Sequence, residues 1–232
     1  MFMKWIKKSL LFIPILALLI SLTFFKKENK QILLLGDNTN VSTYLNELGY
    51  GYEINSLLTL KSMKSKELLY YVSSNAYLNI NNKKESINKI IKDSQYIVIS
   101  IGMNDLLCKL ILNKYESKLS YDIDSVNLCL SLLEQNLFNI VEHVLLLNDS
   151  AKIIITTYDD PFYLASKEEE IHSIVKSLNS TFITVCNFFE QHYIEVKLNN
   201  TMYYDGLNSF YPNNLGNQKI AEIIYQKIIA IN

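Results

Sequence analysis

The chain has 232 residues, 49% hydrophobic and 19% charged, with a net charge of −1. That is enough for one domain with a substantial core, and the near-neutral balance gives no electrostatic case for binding nucleic acid. All 22 basic residues are Lys, so no bidentate guanidinium clamp for phosphate or carboxylate can be built. The abundance of Asn, Ile, Lys and Tyr points to an AT-rich bacterial genome, a codon argument rather than a physical one.

Residues 1–30 read as a leader. Lys4, Lys7 and Lys8 precede an uncharged run from Ser9 to Phe25, and Lys26 and Lys27 close it. A helix of that length lies near the lower limit for spanning a bilayer, ~17 residues. The segment "SLTFFKK" lacks the small residues a signal peptidase needs, and no Cys is near for lipid attachment. A buried core helix fits poorly with Lys on both flanks. The expectation is an uncleaved single-pass membrane anchor with residues 31–232 extracytoplasmic. The Lys count is nearly even on the two sides, so it orients the segment only weakly.

Beyond the leader, apolar runs alternate with amphipathic stretches. "QILLL" (31–35), "YEINSLL" (52–58), "YIVISIG" (96–102), "KIIITTY" (152–158) and "YIEVKL" (193–198) read as strands. Helical patterns cover roughly 62–74, 84–93, 125–147, 167–190 and 215–230, with 79–89 a polar surface connection. Continuous Ile/Leu/Val runs suit strands buried on both faces of a parallel sheet, and the alternation implies βαβ units. The expected fold is α/β: a three-layer α/β/α sandwich on a mostly parallel five-stranded sheet, flavodoxin-like in plan, in a single domain.

Ligands of such sheets sit at the C-terminal ends of the strands. Three stretches fall there: Gly36-Asp37-Asn38 after the first strand, Gly102-Met103-Asn104-Asp105 after the third, and "DGLNSFYPNNLG" (205–216) before the last helix. Their order resembles the SGNH, or GDSL-type, hydrolase family of esterases and acyl hydrolases. The resemblance spans 31–232 in plan and is specific at these blocks. It implies a nucleophilic Ser in the first block, an oxyanion-binding Gly in the second, an oxyanion-binding Asn in the third, and Asp-x-x-His in the last.

The chain departs from that pattern at most of these positions. Asn38 replaces the Ser, and an amide has no proton whose removal yields a comparable nucleophile. No Gly occurs between Gly51 and Gly102, so the second block lacks its marker. The third is intact, with Asn104 in the oxyanion position. The last fits two registers: Asp205 with Asn208 in place of His, or Asn208 in place of Asp with Tyr211 in place of His. Both lose the imidazole, and no His follows His192. A phenol of pKa ~10 does not replace it near neutrality. The expectation is a degenerate site at Asn38, Gly102, Asn104, Asp205, Asn208 and Tyr211. It would belong to a binding or scaffold module for an acylated glycan or another carbonyl-bearing ligand. The alternatives are a divergent esterase using Thr39 or Ser42 with His172 or His192, and a structural membrane protein whose cleft is filled by side chains.

No cofactor or metal is expected: His143, His172 and His192 lack ligand spacing. Cys108, Cys129 and Cys186 lie far apart in sequence and read as buried small apolar residues. Asp159-Asp160, after the fourth strand, reads as a solvated loop. Glu168, Glu169 and Glu170 suit a helix start, and Asn213 or Asn214 suits the N-cap of the last helix.

Overall fold

The computed structural model describes residues 30–36, 41–48, 52–59, 63–80, 83–113, 118–160, 169–198, 201–204 and 211–232. Asn38, Thr39, Asp205, Asn208 and the leader lie outside these. Among the described residues no helix is long and apolar enough to cross a membrane.

Five strands, β1 (Lys30–Gly36), β2 (Tyr52–Thr59), β5 (Tyr96–Ser100), β8 (Lys152–Thr156) and β9 (His192–Ile194), form one parallel sheet in the order β2-β1-β5-β8-β9. The strand order reverses between β1 and β5, which is where an open α/β sheet leaves a crevice. Alternate side chains feed two cores. Ile32, Leu34, Val98 and Ile154 face α1 (Val41–Leu48) and α7 (Asn214–Ile231). Leu33, Leu35, Ile97, Ile99, Ile153 and Ile155 face α2 (Ser65–Ser73), α3 (Ile87–Asp93), α5 (Ile123–Leu147) and α6 (Glu169–Phe188). Period-2 alternation between two apolar layers is why these strands read as unbroken hydrophobic runs. Every residue of β5 is buried.

The shorter elements depart from expectation. α1 and the short α4 (Met103–Leu107) were not foreseen, nor were two antiparallel hairpins, β3 (Tyr77–Ile80) with β4 (Lys83–Ser86) and β6 (Leu110–Asn113) with β7 (Lys118–Tyr121). The stretch expected as a surface connection over 79–89 therefore contains most of a hairpin. The helix expected from 84 begins at Ile87, capped by the Ser86 hydroxyl. β9 ends at Ile194 rather than Leu198. Beyond it Val196 is still buried but donates its N–H to the Thr157 hydroxyl at 3.0 Å, a side chain taking the place of a ladder partner.

Gly36 ends β1, and Gly102 follows β5 as the N-cap of α4. Gly36 has φ +126°, and a Cβ there would stand 1.8 Å from the Ser100 carbonyl oxygen. Gly102 has φ +123°, and its Cβ would press on Leu133 and Phe182. Both backbones need a residue without a side chain.

Candidate functional site

Asn104 sits on the first turn of α4, directly beyond the C-terminal end of β5, and is buried. Its side chain is held at both ends. Nδ2 donates to the Met63 carbonyl at 3.2 Å, and Oδ1 accepts from the Tyr211 hydroxyl. The structure thus brings together Asn104 and Tyr211, the residues that the resemblance places at the oxyanion Asn and, in one register, at the His. Met63 belongs to the Gly-free stretch between Gly51 and Gly102, and it offers Asn104 an acceptor.

Tyr211 is positioned by the segment before α7. Tyr204 bridges Pro212, and Asn213 donates its N–H to the Tyr203 carbonyl at 2.8 Å. Asn213 is the N-cap of α7, accepting from Gly216 N–H at 3.0 Å. Asn217 donates to the carbonyls of Pro212 at 3.0 Å and Asn213 at 2.9 Å. A Cβ on Gly216 would lie 2.6 Å from the Tyr203 carbonyl oxygen. The "YPNNLGN" signature therefore has a local physical content: cap, close approach and backbone clamp.

Asp105 follows Asn104 on α4. Its carboxylate accepts from Ser65 N–H at 2.9 Å and from the Ser65 hydroxyl at 2.7 Å. Ser65 Oγ in turn accepts from Asn136 of α5 at 2.9 Å. The N-cap of α2 is Lys64, whose side chain carries no oxygen to offer, so Asp105 supplies the side-chain acceptor from another helix, where the macrodipole also favours negative charge. Burial raises the Asp105 pKa, and the Ser65 hydrogen bonds partly oppose that. The Ser at the start of the expected helix near 62–74 was the available signal.

A second polar group lies at the same sheet edge, after β8. Asn179 of α6 clamps the Tyr158 backbone, accepting from its N–H at 2.9 Å and donating to its carbonyl at 2.8 Å. The next two residues are engaged, not free in solvent as expected of that loop. Asp159 accepts from the Tyr204 hydroxyl at 2.9 Å, and Asp160 pairs with His172 Nδ1. A carboxylate only accepts, so Nδ1 carries the proton. Burial, then the Asp159 carboxylate, push the Tyr204 phenol far above its ordinary range. An Asp pair closing a strand, followed by a His on the first turns of the next helix, was the signal for this group.

His172 is thus on the edge that holds Asn104. His192 is not: it opens β9, and its pKa is lowered by burial and by Lys227 and Lys152, the latter the first residue of β8. That excludes it as a base swung into the site. Ser42 is buried on α1, and no metal-binding group of three or more His, Cys, Asp or Glu occurs among the described residues. Cys129 and Cys186 are buried as expected, but Cys108 is exposed at the end of α4.

No protein-family model matches the chain, and no curated protein matches it. Solved structures do. A lipase from goat rumen metagenome, Lip_vut3, superposes with a TM-score of 0.64 at 15% identity, covering 85% of this chain and 96% of that one. The acetylxylan esterase Axe2 from Geobacillus stearothermophilus gives 0.61 at 14% identity, covering 86% and 94%. The carbohydrate acetylesterase Est24 from Sinorhizobium meliloti gives 0.54 at 13% identity, covering 88% and 100%. The chain carries the fold of these esterases and lipases along most of its length, the α/β sandwich that the SGNH resemblance implies.

Proposed function

We propose that this chain is a membrane-anchored, SGNH-like protein that has lost Ser-His ester hydrolysis and serves as a binding or scaffold module at the cell surface. The observation that carries the reading is the Tyr211 hydroxyl on Asn104 Oδ1. Together with the Met63 contact it engages the carbonyl oxygen and an N–H of the Asn104 amide with the protein's own groups. An oxyanion hole needs donors aimed at an empty position. Here a phenol stands where the resemblance calls for an imidazole, and Asn38 stands where it calls for the nucleophile. Loss of triad members lowers turnover by orders of magnitude.

The membrane association rests on the leader sequence, and the ligand class, an acylated glycan or another carbonyl-bearing molecule, on the fold alone. The full chain, extracted in mild detergent, is expected to hydrolyse short acyl esters no faster than a buffer blank. Turnover abolished by a serine-directed reagent would overturn the proposal. One observation favours a second reading, a divergent esterase: the Asp160–His172 pair on the same sheet edge. Turnover that resists the serine reagent and disappears in His172→Ala would establish that reading instead.

A further inference from the structure

Cys108 closes α4 and Cys129 lies on the second turn of α5. Both thiols donate to one atom, the Asp105 carbonyl oxygen, Cys108 Sγ at 3.0 Å and Cys129 Sγ at 3.1 Å. Two sulfurs that close to a single oxygen are at most about 6 Å apart, and the ~2.05 Å of a disulfide requires both side chains to turn toward each other about their Cα–Cβ bonds. Cys108 is exposed and Cys129 is 7% accessible, so the pair has one thiol open to reagents and one shielded partner. Cys186 is apart from them, donating to the His192 carbonyl at 3.1 Å. We infer that Cys108 and Cys129 form an oxidisable pair whose disulfide fastens α4, and with it Asn104 and Asp105, to α5.

The oxidant is a disulfide, small-molecule or protein-borne. The Cys108 thiolate attacks one oxidant sulfur, forming a mixed disulfide and releasing one thiol. Cys129 then loses its proton and attacks the Cys108 sulfur, releasing the second thiol. Two cysteine thiols are oxidised, one oxidant disulfide is reduced to two thiols, and the two cysteine protons end on the leaving thiolates. The order follows from access and from acidity. Burial, then the Asp105 carboxylate, then Cys108 itself push the Cys129 thiol up to about 11, so it is a poor first nucleophile. The geometry holds whichever side of a membrane the domain occupies. An oxidising compartment, as the leader implies, would make the disulfide the resting form.

The test uses the full chain, purified reduced, equilibrated with mixtures of reduced and oxidised glutathione, unfolded in acid and alkylated. Oxidation is expected to leave one alkylatable thiol of three, with peptides joining Cys108 to Cys129. In Cys129→Ser, Cys108 is expected to accumulate instead as the mixed disulfide with glutathione. The inference is overturned if the wild type retains that mixed disulfide to the same extent as Cys129→Ser, if all three thiols still alkylate, or if Cys108 links two chains. A thermal melt of the oxidised and reduced forms gives a second reading: the internal bond is expected to raise the midpoint, and an unchanged or lowered midpoint would show that the native geometry does not accommodate it.

Discussion

The amide of Asn104 joins two parts of the chain far apart in sequence, accepting from Tyr211 and donating to Met63. A single neutral hydrogen bond contributes about 1 kcal/mol net, whereas stripping the partner from a buried polar group costs about 1–3 kcal/mol. Tyr211→Phe, which keeps the ring, is therefore expected to lower stability by about 1 kcal/mol in urea unfolding. Asn104→Ala, which strips both contacts at once, is expected to cost about 1–3 kcal/mol more than a surface substitution. If the two changes were additive in the double variant, the contact would be absent in solution, since residues in direct contact couple. Gly36 is the stricter position. With the Ser100 oxygen 1.8 Å from any Cβ and φ at +126°, Gly36→Ala must push β1 and β5 apart where they are paired. It is expected to lose far more than the ~1 kcal/mol of an average substitution and to accumulate as insoluble protein. Soluble, cooperatively folding Gly36→Ala would contradict the described strand ends.

At the scale of elements, Asp105 couples three helices: it caps α2 through Ser65, which Asn136 of α5 also holds. Because burial raises its pKa, the folded state binds the Asp105 proton more tightly than the unfolded chain does. The stability this group contributes is complete below the unfolded pKa and is lost as pH rises through the folded one. Set against Asp105→Asn, which does not titrate, the wild type should gain relative stability as pH falls from 7 toward 4. Urea midpoints of the two proteins at several pH values measure this; relative loss by the wild type on acidification would reverse the sign. Such long-range pairings mark the limit of what could be read from the chain alone. β1, β5 and β8 were legible because each carries a continuous apolar run, β2 and β9 from shorter apolar stretches broken by polar residues, and α5, α6 and α7 because their buried faces repeat over many turns. α1, α4 and the hairpin strands run only four to eight residues, too short for an apolar pattern to stand out from its surroundings. In the candidate site, Gly102, Asn104 and Tyr211 were found through motif order. Asp105 with Ser65, Asp159 with Tyr204 and Asp160 with His172 were not, because each pair is made by the fold between segments without a shared motif.

For the whole molecule, the proposed anchor would bear on which way the candidate site faces. β1 begins at Lys30, and only residues 26–29 separate it from the apolar run that ends at Phe25. Four residues reach at most ~14 Å fully extended, so an inserted leader would hold the starting ends of the strands close to the bilayer. β1 spans ~23 Å over its seven residues, so a sheet standing on its starting ends would carry Asn104, Tyr211 and the Asp160–His172 pair on the far edge. Insertion itself is favoured by ~0.3–0.6 kcal/mol for each Leu, Ile or Phe near the centre of the run, and Pro14 is tolerated in such a helix. Cells expressing the full chain are expected to yield it in the membrane fraction, with an N-terminal sequence that still begins at or near Met1. Recovery as soluble protein with a new N-terminus between Lys26 and Gln31 would identify a cleaved signal peptide and remove the anchor. Orientation is tested separately. Cys108 is the one exposed cysteine of three and lies next to the candidate site, so on the chemically reduced chain a fluorophore attached to it reports that edge. In vesicles, quenchers carried on the lipid should leave it bright while an aqueous quencher dims it. Strong quenching by the lipid-borne probe would place this edge against the bilayer and reverse the orientation.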